Sequence, residues 1–126
     1  MDFGQVHHIE YYVNDLKQSN LFWDWFMPYL NYKKMAEWDG GVSWEHQNGT
    51  YLVFVQVMDQ YLELKNNRQG NGLNHIAFKG GSLSQLDELQ ILLESKKIKI
   101  LKRDGSYLCF EDPNLFAVEV YSESAK

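Results

Sequence analysis

Val6-His7-His8-Ile9-Glu10-Tyr11 and Leu73-Asn74-His75-Ile76-Ala77-Phe78 carry one pattern, a histidine followed by a large apolar residue inside an alternating run, and they recur sixty-seven residues apart, from His8 to His75. Recurrence at such a spacing marks an internal repeat. Each histidine run is followed by a second alternating stretch with a carboxylate at its centre, Tyr61-Leu62-Glu63-Leu64-Lys65 and Ala117-Val118-Glu119-Val120-Tyr121. Two halves therefore supply two His and two Glu. Imidazole nitrogen with carboxylate oxygen is a donor set that suits divalent Zn, Ni, Mn, Co or Fe(II).

A chain of 126 residues can bury one core but is short for two independent ones. The expectation is a single domain over 1–126 in which both repeats share one fold. Apolar residues make up 44% and charged residues 23%, an ordinary globular balance that excludes disorder. Seventeen acidic against twelve basic side chains leave a net charge of −5, which argues against nucleic acid as a partner. The basic cluster Lys96, Lys97, Lys99, Lys102 and Arg103 closes a helix pattern, where cations complement the dipole and need no ligand to explain them. The single Cys109 excludes an internal disulfide. No signal peptide and no apolar run of spanning length is present, so a cytoplasmic protein without membrane partners is expected.

Residues 5–13 alternate, with Ile9, Tyr11 and Val13 on one face and His8, Glu10 and Tyr12 on the other, as a half-buried strand requires. Asn14-Asp15 offers an N-cap with Gln18 at the third helical position, and Leu21, Phe22, Trp25 and Phe26 form an apolar stripe that Pro28 ends. Strands follow at 41–46, 51–58 and 60–65, the first two joined by an Asn48-Gly49 hairpin turn. The turn-forming stretch 66–72 is the linker. The module then restarts, with a strand at 73–79, a helix capped by Ser84 and Asp87 with Leu83, Leu86, Leu89, Leu92 and Leu93 as its buried stripe, and strands near 98–102, 106–110 and 116–121. The expected architecture is α+β: module one over about 4–66 and module two over about 73–122, each β-α-β-β-β.

A metal ligand must leave its strand on the side away from the helices, and His8, Glu63, His75 and Glu119 all have that parity. A single His or Glu on an alternating strand is ordinarily just its solvent-facing member; four in repeat-related positions point further. His7 shares the parity of Ile9 and Tyr11, and His46 lies beside a turn, so both read as structural or solvated.

The opening from Val6 through Asn14-Asp15-Leu16 to Phe22-Trp23, the restart Leu73-Asn74-His75-Ile76-Ala77-Phe78, and the ending Phe110-Glu111-Asp112-Pro113-Asn114 with Val118-Glu119-Val120 together resemble the vicinal oxygen chelate superfamily. That group contains glyoxalase I, bleomycin-resistance proteins, fosfomycin-resistance enzymes and extradiol dioxygenases. The resemblance covers nearly the whole chain and implies paired β-α-β-β-β modules whose curved mixed sheets form a cup around a divalent metal. It assigns His8, Glu63, His75 and Glu119 as the glyoxalase I-like ligand set. The family's Asp-Pro-Asp-Gly turn is here Asp112-Pro113-Asn114-Leu115, which replaces a permissive glycine just before the strand of Glu119.

What the resemblance implies is a metal-dependent lyase or isomerase that chelates two vicinal oxygens of a small substrate and stabilises an enolate-like intermediate. Glu63 or Glu119 would then be the general base. Glu10, Tyr12, Gln56 and Lys79 share cup-facing parity and would orient substrate, while Trp44, Phe54 and Tyr107 would wall the cup. Arg68 is a further candidate clamp for an anionic group. The alternatives are a metal-free cup that sequesters a planar drug-like molecule, as bleomycin-resistance members do, and an Fe(II) extradiol dioxygenase using three ligands. Pairing of modules across a homodimer is expected in either case.

Overall fold

A computed structural model describes residues 3–123 and shows eight strands and two helices in two repeated arrays. The chain divides into two units, Met1–Lys65 and Asn66–Lys126. In the first unit, β1 (His8–Val13), α1 (Leu16–Tyr29), β2 (Tyr32–Trp38), β3 (Gly41–His46) and β4 (Tyr51–Gln56) form a mixed sheet in the order β1-β4-β3-β2. In the second, β5 (His75–Lys79), α2 (Leu83–Ser95), β6 (Ile100–Arg103), β7 (Tyr107–Glu111) and β8 (Ala117–Tyr121) form a sheet in the order β5-β8-β7-β6. The first strand of each array runs parallel to the last, and the other pairings are antiparallel. The expected α+β fold of two β-α-β-β-β modules is present.

Each sheet buries one face against its helix. In the first unit Tyr11, Leu52, Phe54, Val42 and Trp44 are buried with Phe22, Trp23, Phe26 and Met27 of α1. Phe54 stacks on Trp23 at 4.5 Å between ring centroids and on Tyr11 at 5.5 Å. The stripe is therefore rotated by about one position from the expected one: Trp23 and Met27 are inside, and Leu21 is 71% exposed. Asp15 caps α1 by accepting from Gln18 N at 3.1 Å. In the second unit Leu86, Leu89 and Leu93 lie beneath Phe78, Leu108, Phe110, Val118 and Val120. Its capping box uses Ser82 and Gln85 rather than Ser84 and Asp87, so the helix begins one residue before the expected cap.

Two strand assignments need correction. Tyr32–Trp38, which carries no clear alternation, is the edge strand β2, with a register shift between Lys34 and Ala36. Conversely, residues 60–65 form no strand: Asp59–Tyr61 is a single 3₁₀ turn, followed by irregular backbone. The alternation of Tyr61, Leu62, Glu63 and Leu64 finds no neighbouring strand among the described residues to pair with, and pairing rather than pattern makes a strand. The parallel partner of β1 is β4 instead.

Candidate functional site

The open face of the second sheet is fixed by strand register. Its rows read His75, Ala117 and Glu111, then Ala77, Glu119, Cys109 and Lys102, then Lys79, Tyr121 and Tyr107. His75 Nε2 lies 3.5 Å from Glu119 Oε1, and His75 Nδ1 contacts Asn74 Oδ1 at 2.8 Å, which sets the ring's orientation. The Glu119 carboxylate beside the Tyr121 hydroxyl leads the causes that raise the phenol above its ordinary range. Tyr107 stacks on Tyr121 at 5.0 Å, with Lys102 Nζ 5.6 Å from the Tyr107 centroid. Cys109 is buried on this face, and desolvation followed by the neighbouring Glu119 charge raises its thiol pKa.

Glu119 owes its position to the turn before β8. Asp112 is buried, and its Oδ1 accepts from Asn114 N and Phe116 N, each at 2.8 Å. Leu115 adopts φ 68° where glycine is the permissive choice. Its carbonyl is held by Arg68 Nη1 at 2.6 Å and Asn66 Nδ2 at 3.3 Å. Arg68 also pairs with Glu111 at 3.0 Å, so this guanidinium fastens the turn and is not a clamp waiting for substrate.

The open face of the first sheet carries His8, Glu10 and Tyr12 on β1, beside Tyr51, Val53 and Val55 on β4. His8 is exposed, stacks on Tyr51 at 4.6 Å, and approaches His7 Nδ1 with its own Nδ1 at 2.9 Å. His7 is exposed rather than core-facing. Ser43 lies on the same face beside Val53, its hydroxyl buried and without a hydrogen-bond partner among the described residues. Sequence reasoning passed over it because nothing local marks a serine as buried.

Three expected substrate contacts lie elsewhere. Trp44 and Phe54 are on the helix-covered face, where their bulk is core against α1. Gln56 is in register with Val13, also facing the helix side, and its side chain accepts from Leu16 N and donates to the Asn14 carbonyl, each at 2.8 Å. Glu10, Tyr12, Lys79 and Tyr107 do lie on the open faces. A cleft of about 650 Å³ at the end of α1 contains His46, Tyr32 and Glu45 but none of the four expected ligands.

Glu63 needs the largest correction. The repeat matches β4 to β8, and the register places Glu10 opposite Val53 as it places Ala77 opposite Glu119. The first-module counterpart of Glu119 is thus Val53, a residue with no donor atom, while Glu63 lies exposed on irregular backbone. Within neither unit are three His, Cys, Asp or Glu side chains gathered among the described residues. The His75–Glu119 pair fits a divalent cation in donor chemistry and in its shared face.

No known family profile matches the chain. It is 40% identical over 128 residues to the uncharacterised protein YqjT of Bacillus subtilis, covering 94% of this chain and 99% of that protein. It is also 36% identical to a presumed glyoxalase from Bacillus halodurans whose crystal structure superposes with a TM-score of 0.90, over 95% of this chain and 96% of that one. The chain belongs to the vicinal oxygen chelate superfamily. A more distant superfamily structure, a single-site mutant of the fosfomycin resistance protein FosX of Listeria monocytogenes with Mn(II) and dihydroxypropylphosphonic acid, shares the fold. It is 16% identical with a TM-score of 0.69, over 96% of this chain and 93% of that one. Among the described residues no helix is long and apolar enough to cross a membrane.

Proposed function

We propose that this vicinal oxygen chelate protein is a divalent-metal-dependent lyase or isomerase acting on a small substrate through two neighbouring oxygens, with His75 and Glu119 as metal donors and His8 as the first-module histidine in the corresponding place. The observation that carries this reading is the 3.5 Å approach of His75 Nε2 to Glu119 Oε1 across adjacent strands of an open face. The 36% identity to a presumed glyoxalase and the Mn(II) of FosX support it. A bound cation would polarise the substrate oxygens and stabilise negative charge developing on them.

The chain's own groups supply the remainder. Glu119 stands on an inner strand beside His75, an arrangement suited to a fixed ligand rather than to a base that must let go. Glu10 lies on the open face of β1 two residues beyond His8, roughly 7 Å along the strand. It is the carboxylate that the open face of β1 offers for moving a proton, where Glu63 offers none. Val53, in the first-module place that Glu119 fills in the second, supplies no donor atom. A histidine and carboxylate donor set also suits the extradiol dioxygenase reading, which oxygen uptake would reveal.

Elemental analysis of protein purified without chelator or tag-derived metal tests the proposal. About one metal per chain, lost in His75→Ala, with turnover in a screen of hemithioacetals and α-acidic thioesters, is expected. Absence of metal after reconstitution with Zn, Ni, Mn, Co and Fe(II) would overturn it in favour of a metal-free small-molecule binder. The same reading takes the protein as a homodimer, supported by the exposed Val6, Ile9 and Leu73 around the histidine strands and checked by light scattering.

A further inference from the structure

The open face of the second sheet is polarised. His75 and Glu119 stand at one end, Lys79, Tyr121 and Tyr107 form the row at the other, and Lys102 lies in the row of Glu119 two strands across, on the edge strand β6, with its ammonium over the Tyr107 ring. Both carboxylates of the face are already matched, Glu119 with His75 and Glu111 with Arg68. Neither Lys79 nor Lys102 has an ion pair among the described residues, and both are exposed. Between them the stacked Tyr107–Tyr121 pair, 15° from coplanar, offers an aromatic ledge that holds Lys102 over one ring. Such a ledge suits a planar, electron-poor group, and a cation at its rim suits an anion.

We infer that Lys79 and Lys102, with the Tyr107–Tyr121 ledge, bind an acidic group of the substrate, so that the substrate is a small planar or short-chain anion whose vicinal oxygens and acid group lie at opposite ends. The spacing follows from the sheet: Lys79 lies one row of two residues along and one strand across from Glu119, roughly 8 Å between backbones, and Lys102 lies in the row of Glu119 two strands across, roughly 10 Å, each less where the side chain reaches inward. The inference rests on the metal-site reading for the position of the vicinal oxygens, but the lysine end can be tested without it. Edge-strand lysines also discourage unwanted strand pairing, a role that would leave anion affinity unaffected by their removal.

Calorimetric titration of the Mn(II)-loaded and metal-free protein with catechol, with protocatechuate (catechol bearing a ring carboxylate) and with benzoate separates the two ideas. On the loaded protein protocatechuate is expected to bind about tenfold more tightly than catechol, and that advantage is expected to vanish in Lys79→Gln/Lys102→Gln while catechol affinity stays. Raising the salt concentration should erode the same advantage. If the vicinal hydroxyls contribute nothing but benzoate still binds in a lysine-dependent way, the metal-site reading fails and the acid-binding end stands. A carboxylate advantage that is absent in the wild type, or that survives in the double variant, overturns the inference. So does failure of all three probes to bind. Circular dichroism of the double variant confirms that the exposed substitutions leave the fold intact.

Discussion

Replacing Asp112 with alanine should unfasten the turn that delivers Glu119. The carboxylate is buried and accepts two backbone N–H groups at 2.8 Å, from Asn114 and Phe116. Hydrogen bonds to a charged acceptor are worth about 1.5–3 kcal/mol each, and Ala removes both. Asn114 is only half-buried, so its N–H recovers part of its loss from water, which brings the expected destabilisation to about 3 kcal/mol. At about 2.1 cal/mol/K per residue, the unfolding entropy of 126 residues is near 0.26 kcal/mol/K, so the melting midpoint should fall by roughly 11 °C. Asp112→Asn keeps an acceptor oxygen and forfeits only the charge, for about 1 kcal/mol. Urea unfolding followed by far-ultraviolet circular dichroism measures both. Tryptophan fluorescence adds a control, because all four tryptophans, Trp23, Trp25, Trp38 and Trp44, lie in the first unit. An alanine variant within about 1 kcal/mol of wild type, or an asparagine variant as damaged as the alanine one, would refute the reasoning.

Glu63→Ala should leave metal stoichiometry unchanged while Glu119→Ala abolishes it, as read by elemental analysis after dialysis; the reverse outcome would restore Glu63 to the ligand set. Leu115→Gly should raise stability by roughly 0.5–1 kcal/mol, since relief of a left-handed conformation worth about 1–2 kcal/mol outweighs the added freedom of the unfolded chain; a urea midpoint below wild type would count against strain at φ 68°. Asp104 accepts from the Ser106 and Tyr107 backbone N–H groups, and the Ser106 bond leads in holding its pKa below the ordinary carboxylate value. A depressed folded pKa means that its stabilisation is present above the unfolded value near 4 and is lost as pH falls through the folded one. Asp104→Asn should therefore flatten part of the stability loss below about pH 4, and an acid titration unchanged by the substitution would remove that assignment.

The histidine strands, the last strand and both helices were legible because their signals are local. Alternation put His75 and Glu119 on one side, and the structure brings their side chains together. The two misread strands show where locality ends. Residues 60–65 alternate well but meet no partner strand among the described residues, whereas Tyr32–Trp38 lacks alternation yet is drawn into the sheet by β3. That exchange misplaced Glu63, because the repeat match depends on which strand pairs with β1, a contact between residues more than forty positions apart. Trp44 and Phe54 were read by chemistry, as aromatic walls, when their parity with Leu52 already set them against the helix. Arg68 could not be read at all from the chain, since its partners Glu111 and Leu115 lie far along the sequence.

The order β1-β4-β3-β2 and its counterpart β5-β8-β7-β6 place both histidine strands at the rim of their sheets. A rim strand is tethered by one ladder, so every second amide in His8–Val13 and His75–Lys79 has no ladder partner on its outer side among the described residues. Those amides should trade protons for deuterons orders of magnitude sooner than their neighbours in β4 and β8. The histidines thus stand on rim backbone held from one side, as β2 and β6 also are, while Glu119 stands on an inner strand gripped from both sides. In the second sheet, a cation arriving at the proposed pair would meet one donor on an inner strand and one on a rim strand that can adjust to it, and deuterium uptake along β5 and β8 would register its arrival without any knowledge of the reaction.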